Sequence, residues 1–450
     1  MKKTILILIG IILLGGGIYL FIQAKQTPQV NTETGETTGF RSFFPFNANK
    51  NSTTDIVDNT DTNTEENVVE EDNTVVAEEN RLTQITNFAV SGVTVFMAER
   101  EIEEEKSPVV ENTETPKEEV TFIPVEEKDP KKTTPTKVEE KKEVVVEKPK
   151  TEIVEALRYV EKSTGHIYEY HLDKKLSGKI SNSTIPGVYE ALFGNTSQSV
   201  LYRYVDNQNQ IQSYLATLGA QKGQFLAPGI SSAVLSPDKE NIFYVNKLGE
   251  SLTGINLTIK SGASKQIFSS EFTEWLPQWA TKQAIFMNTK PSWNIKGSLY
   301  ALNVSTGALT KVFGGVEGMT TLVNNEGNRI LYNKTTNSGP LLGVFSNNNL
   351  TSLNVYGLPE KCVWSKDSVN IYCAVPNTLT TNHLPDMWYQ GIISFSDTVI
   401  KIDSRNGERY TVTNTESTQA IDAINLQLSQ KEDYLFFINK KDGTLWKLAL

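Results

Sequence analysis

The chain has 450 residues, a formal net charge of −10, two cysteines and three histidines. Its length admits two or three domains, but composition shifts sharply along the chain, so the count has to come from segments. The acidic balance and the scarcity of His and Cys argue against a nucleic-acid-binding surface and against a zinc-built domain.

The first elements lie outside any globular core. After Lys2 and Lys3, residues 4–22 read TILILIGIILLGGGIYLFI, an uncharged apolar run close to the roughly 20 residues that cross a bilayer. Lysines ahead of the span predict a cytoplasmic N-terminus, with everything after Lys25 outside. Residues 1–24 admit two readings: a retained single transmembrane helix, or a signal peptide cut near Ile22-Gln23-Ala24, for which the run is long. In both, the remainder is exported across the cytoplasmic membrane. Residues 25–80 carry 3 basic and 12 acidic side chains. Such a segment buries too little apolar surface to offset chain entropy and predicts a disordered acidic stalk, on the order of 40 Å end to end as a random coil. Residues 98–150, rich in Glu, Lys, Pro, Thr and Val, with 11 basic and 16 acidic side chains, predict a second disordered stretch. Once these segments are set aside, residues 151–450 carry a net charge of only +1. The acidity belongs to the linkers, and no basic face advertises nucleic acid.

From residue 157 an apolar phrase recurs: ALRY at Leu157, VLYRY at Val200, IFYV at Ile242, IFMN at Ile285, ILYN at Ile330, IYCA at Ile371 and LFFI at Leu435, spaced by 43, 42, 43, 45, 41 and 64 residues. A period near 40 to 45 with several short strands per repeat marks propeller blades. Each phrase is followed by a small-residue turn and another strand, as in GSLYALNV from Gly297, and then by a more polar strand, as in LTKVF from Leu309. Another strand precedes it, as in ISSAVLS from Ile230. Inner strands covered on both faces by neighbouring blades read as continuous apolar runs, whereas the outermost tolerates Lys, Gln and Thr. Between the first two strands lie turn signals such as Ser236-Pro237-Asp238.

Two irregularities complete the architecture. The last unit ends at Leu450 after its third strand, while LTQIT from Leu82 matches LTKVF from Leu309. Residues 82–86 are therefore expected to supply the outer strand of the last blade, closing the ring and burying exposed edges. The fold class is all-β, a seven-bladed β-propeller over residues 81–450, closed by an N-terminal strand and preceded by the membrane helix and stalk. The 98–150 stretch becomes an insertion in the first hairpin of blade one. The 64-residue spacing places a second, aromatic-containing and ordered insertion, residues 376–396, between the second and third strands of blade six.

The S-P-D turn followed by I-F-Y-V, the GSLYALN strand and the polar LTKVF strand resemble the TolB-like repeats of bacterial envelope propellers, a WD-type repeat pattern, across residues 82–450. The resemblance implies an extracytoplasmic binding platform. The chain differs from TolB in having a span and stalk where TolB has an N-terminal globular domain, and it has no G-x-S-x-G hydrolase motif.

Candidate functional residues are few. Cys362 and Cys373 fall directly opposite on paired strands if the turn centres between Asp367 and Ser368, close enough for a disulfide; two buried thiols packing as small apolar groups is the other reading. His166 and His171 lie five positions apart, so on a strand they point to opposite faces and cannot chelate together. No metal or other cofactor is called for. Loops joining second and third strands, and loops entering each blade, share one face. That face is expected to carry Trp293, Trp275, His383, Asp386, Trp388 and Tyr389, the aromatics acting either as recognition anchors or as packing for the insertion and blade core. The sequence reading is thus noncatalytic recognition of an envelope protein, peptide or glycan. The alternatives are a carbohydrate-active enzyme using carboxylates such as Asp386 and Asp397 as an acid and base pair, or a structural spacer.

Overall fold

The computed structural model describes residues 81–101, 151–220, 223–414 and 420–450. The expected membrane span and stalk lie outside the described residues; among those described, no helix is long and apolar enough to cross a membrane. The rest forms seven four-stranded antiparallel sheets. Six are consecutive in sequence: blade one from Val90 to Lys179, blade two from Val188 to Phe225, blade three from Ile230 to Ser270, blade four from Trp275 to Glu317, blade five from Thr321 to Tyr356, and blade six from Cys362 to Asn414. Blade seven draws on both ends of the ring. Ala423–Leu428, Tyr434–Asn439 and Leu445–Ala449 give its inner three strands, and Leu82–Gln84 pairs with Leu445–Ala449 in register Leu82↔Leu448.

Beyond that ladder, Thr86 tightens the closure. Its Oγ1 accepts the Leu445 N–H at 3.0 Å and donates to the Phe88 carbonyl at 2.8 Å. The ring is complete because each neighbouring pair of blades encloses an apolar cluster. Blades one and two share Val160, Ile167, Val188 and Phe193; blades five and six share Leu331, Leu342, Trp364 and Ile371. The last cluster joins Phe436, Ile438 and Leu445 of blade seven to Val93, Leu157 and Tyr159 of blade one. Each fully buried side chain of this kind contributes about 1.5–3 kcal/mol.

The recurrent hairpin phrase has one geometry in four blades. The N–H of Ser236, Asn324, Ser365 and Ser429 bonds the carbonyl five residues on, at 2.9–3.0 Å, and the residue three positions on returns its N–H to the first carbonyl. That returning residue has positive φ: Lys239, Gly327, Ser368 and Glu432 at 56°, 75°, 57° and 58°. This is a type I turn closed by a left-handed residue, a common hairpin connection. Only Gly327 adopts it without steric cost; at the others, side-chain hydrogen bonds hold the turn. Ser236 Oγ donates to Asp238 at 2.6 Å and accepts the Asn241 N–H at 3.0 Å, and Ser429 Oγ does the same with Asp433 and Tyr434.

At the other end of the second strand, buried asparagines hold the crossovers between blades. Asn333 accepts the Thr320 N–H and donates to the Gly318 carbonyl, both at 2.8 Å, and Asn439 accepts the Asp422 N–H at 3.1 Å.

One expected boundary shifts. The blade-one hairpin does not open at Ala98: the strand Val90–Glu101 stays paired with Thr151–Glu161 out to Glu101↔Thr151. The ribbon extends past the blade, with Met97 and Ile153 exposed and Ala98 buried, and Arg100 fastens it by pairing with Glu152 at 2.5 Å and Asp173 at 2.7 Å. Composition reads such a ribbon as disordered because its apolar content is low. Residues 102–150 lie outside the described residues.

Candidate recognition face

The loops between second and third strands and the crossovers between blades lie at one end of the propeller, and the blade-six insertion belongs to this end. It leaves the strand Asn370–Pro376 and returns into Asp397–Asp403, with one α-helical turn, Asp386–Tyr389, between. Leu384, Trp388 and Phe395 are buried with Leu358, and Leu379, Tyr389, Ile393 and Ile424 pack around them. The insertion therefore has its own small core seated on the crossovers into blades six and seven.

It also reaches the loop of blade four. Trp293 stacks on His383 with ring centroids 4.2 Å apart, and the Trp293 N–H donates to Asp386 Oδ2 at 2.6 Å. His383 is exposed and Trp293 half-buried, so this pair forms part of the accessible surface. Four sequence-predicted residues, Trp293, His383, Asp386 and Tyr389, are thus brought together with Trp388 by one structural unit.

Trp388 is not an open anchor. It is 4% exposed, its Nε1 donates to Asp422 Oδ2 at 3.0 Å, and its carbonyl accepts Lys440 Nζ at 2.5 Å. The same ammonium lies 4.3 Å from the ring centroid, a cation–π contact. Trp275 is likewise a core residue. It is 8% exposed, meets Phe268, Phe272 and Tyr300 edge-on, and donates Nε1 to the Phe272 carbonyl at 2.8 Å. For both, the packing reading stands, because a large ring next to a blade interface buries more area inward than a loop can present outward.

Beneath the insertion lies a charged group that the sequence reading missed. Lys361, fully buried, places Nζ 2.5 Å from Asp422 Oδ1, 2.8 Å from Asp397 Oδ2 and 2.9 Å from the Ala423 carbonyl. Asp422 Oδ2 accepts the Trp388 Nε1–H and the Phe395 N–H, each at 3.0 Å, and Asp397 Oδ2 accepts the Ala423 N–H at 2.7 Å. Burial raises the Asp397 carboxyl above its ordinary value, against the pull of the Lys361 charge. Burial also lowers Lys440 to about 8. Nearby, the Tyr389 hydroxyl donates to Glu360, whose other oxygen lies 2.7 Å from Thr320 Oγ1. Burial raises Glu360 above the ordinary carboxylate value and holds the Tyr389 phenol well above 10. The signal was present in the sequence. Lys361 in GLPEKCVW and Asp422 in AIDAIN each interrupt an apolar run at the entry to consecutive blades.

Both carboxylates offered as an acid and base pair have structural partners. Asp397 is 0% exposed and ion-paired to Lys361, while Asp386 is engaged by the Trp293 backbone. Asp397 opens the third strand of blade six, where the insertion returns, opposite Pro376. His166 Nε2 meets Thr184 at 3.1 Å and His171 Nε2 meets Glu169 at 3.1 Å, two separate local contacts. Among the described residues no three His, Cys, Asp or Glu side chains converge as a metal site. Cys362 and Cys373 are directly opposite in register and joined as a disulfide.

The rest of this face is notably apolar for loops. Val205 and Ile211 in blade two, Leu248 in blade three, Phe272 and Ile295 at the entry and hairpin of blade four, and Ile392 in the insertion are between 40% and 62% exposed.

Fold and face together define a closed seven-bladed β-propeller with one end partly covered by an insertion. No family model matches the chain, and no curated protein sequence does. Among solved structures it is similar to TolB from Acinetobacter baumannii, at 12% identity over 66% of this chain and 77% of that one, with a TM-score of 0.37. It is also similar to oligogalacturonate lyase from Vibrio parahaemolyticus, at 9% identity over 66% and 93%, TM-score 0.46. The β-propeller domain of the Trilobed protease from Pyrococcus furiosus matches at 11% identity over 66% and 91%, TM-score 0.45. The seven blades rest on the sheet order of this chain itself.

Proposed function

We propose that this protein is a membrane-anchored extracytoplasmic propeller that recognises a protein, peptide or glycan of the cell envelope without catalysing its conversion. The observation that carries the reading is the set of exposed apolar side chains on the loops of blades two, three, four and six, at the end where Trp293 stacks on His383, although others such as Leu176, Phe225 and Leu350 are exposed on outer strands. Exposed apolar groups gathered on one face of a folded domain mark interaction surfaces, and rigid loops on a propeller hold them at little entropic cost. The apolar run at residues 4–22 and the acidic stalk support tethering of the propeller at the outer face of the cytoplasmic membrane. The enzyme alternative has less support, because Asp386 and Asp397 are engaged in structural contacts.

The test compares wild-type protein with Ile295→Asp and Ile392→Asp, exposed changes that leave every blade interface intact. Purified envelope glycan and cross-linked envelope proteins are the two capture assays. Loss of capture by tenfold or more, about 1.4 kcal/mol, at unchanged melting temperature is expected in one of them. Unchanged capture in both would support the inert spacer instead. Trp388→Ala is a poor probe of recognition, since the ring is buried.

A further inference from the structure

We infer that Lys361 and Asp422 become joined by an amide bond, an internally catalysed crosslink between the entries to blades six and seven, with Asp397 moving the protons. The inference is independent of the recognition reading and rests on the arrangement of three buried side chains.

Lys361 Nζ lies 2.5 Å from Asp422 Oδ1, so with a C–O bond of roughly 1.2 Å the nitrogen is within about 3.7 Å of the carboxyl carbon. That is close to the separation of a near-attack arrangement. Asp422 Oδ2 faces two donors, Trp388 Nε1–H and the Phe395 N–H. Together they form a pocket for the negative charge that develops on that oxygen as nitrogen attacks. Asp397 Oδ2 sits 2.8 Å from the same nitrogen and is fixed by the Ala423 N–H. Water is excluded: Lys361, Asp397 and Asp422 are each 0% exposed. Trp388 and Phe395 cover the site, each with its ring centroid 5.3 Å from Nζ.

The chemistry balances without any other reactant. Asp397 takes a proton from the ammonium, and the freed lone pair forms the Nζ–Cγ bond while a carbonyl electron pair moves to Oδ2. The pair returns from Oδ2 as the Cγ–Oδ1 bond breaks. Nζ gives up two of its three hydrogens in all, and Asp397 passes both to Oδ1, which leaves as water. Asp397 ends as it began, so it is a catalytic residue of this step. Its raised affinity for a proton, caused by burial, suits it to the transfer. The product replaces two buried charges with a neutral amide and so removes their desolvation cost. It also ties together two blades whose entry segments are 61 residues apart.

The experiment is peptide mass mapping of the full-length protein after reduction. A branched peptide joining the Lys361 and Asp422 segments, lighter by one water than their sum and uncut by trypsin after Lys361, is expected. Asp422→Asn should give the same branched peptide by loss of ammonia. Asp397→Asn, nearly isosteric, should give two linear peptides, while mapping of an unreduced sample still shows the Cys362–Cys373 disulfide. Linear Lys361 and Asp422 peptides from the wild-type protein would overturn the crosslink, leaving an ion pair. A branched peptide from Asp397→Asn would overturn the role given to Asp397.

Discussion

Blades three and six are built from the same repeat and held together differently. In blade three, SPDKENIFYVN makes a plain hairpin, its four strands run without insertion, and the faces of its sheet meet blades two and four mainly through apolar side chains, with Arg203 donating to the Ile230 carbonyl and Lys282 facing Asp238 as the polar additions. Blade six has the same turn in SKDSVNIYCA, but Ala374 follows the apolar phrase where blade five has Asn333. The crossover into blade six lacks that amide and is fastened instead by Lys361, by the disulfide and by the insertion core. The lesson is that one blade can accept a long loop at its top end when polar and covalent ties, placed at the strand entries, replace the hydrogen bonds that the regular blades use.

The strongest way to break this contrast is Lys361→Ala. It removes the Nζ that Asp397 and Asp422 share, whether held by charge or by the amide, and leaves both carboxyls buried without it, a loss of about 3–5 kcal/mol for one partner of a buried pair. Denaturant unfolding should show the midpoint falling by a corresponding amount; a change no larger than that of an exposed Lys260→Ala control would mean the pair is not structural. Next, replacing both Cys362 and Cys373 with Ala opens a loop of sequence separation 11 and should cost about 2–3 kcal/mol. The same loss should follow reduction of the wild-type protein, with no effect of reductant on the double variant.

A smaller effect is expected in a regular blade. Asn333→Ala removes the partners of the Thr320 N–H and Gly318 carbonyl, for about 1–3 kcal/mol. Hydrogen exchange should report it locally, as faster exchange at the Thr320 amide.

The smallest effect tests what the two blades share. Asp238 and Asp367 occupy the same turn position. The Ser236 hydroxyl, then the Glu240 N–H and Lys282, hold Asp238 below its ordinary value. At Asp367 burial pushes upward, but the Ser365 hydroxyl and the Asn370 and Val369 N–H groups outweigh it, leaving the carboxyl at about 2. A depressed folded-state value means stability that is present above the unfolded carboxylate range near pH 4 and lost as pH falls toward about 2. Asp367→Asn should flatten that part of the stability curve, and Asp238→Asn should do so to a similar or lesser degree. An unchanged slope in both would show that these turns do not contribute.

The repeat made the propeller legible. Seven apolar phrases at near-constant spacing, a polar fourth strand and a missing last strand matched by residues near Leu82 fixed blade number and closure, because strand order follows from covalent sequence and a period of two. The cysteine register was legible for the same reason, once the turn at Asp367 was recognised. The aromatic residues were not sorted by sequence. Trp293 and Trp388 look alike in KPSWNIKG and LPDMWYQG, yet one stacks half-buried at the surface and the other is sealed beneath a loop.

The chain by itself determined the number of blades, the closing strand and the place of the blade-six insertion. Local pattern suffices there, since alternation, turn chemistry and repeat length act through neighbours in sequence. Only the tertiary structure decided that Lys361, Asp397 and Asp422 meet, that Trp388 covers them and that Asp386 reaches Trp293. Those contacts join segments brought together by the packing of consecutive blades and by the folding of the insertion, and no periodicity in the sequence encodes which charged side chain will find which partner when water is expelled between blades.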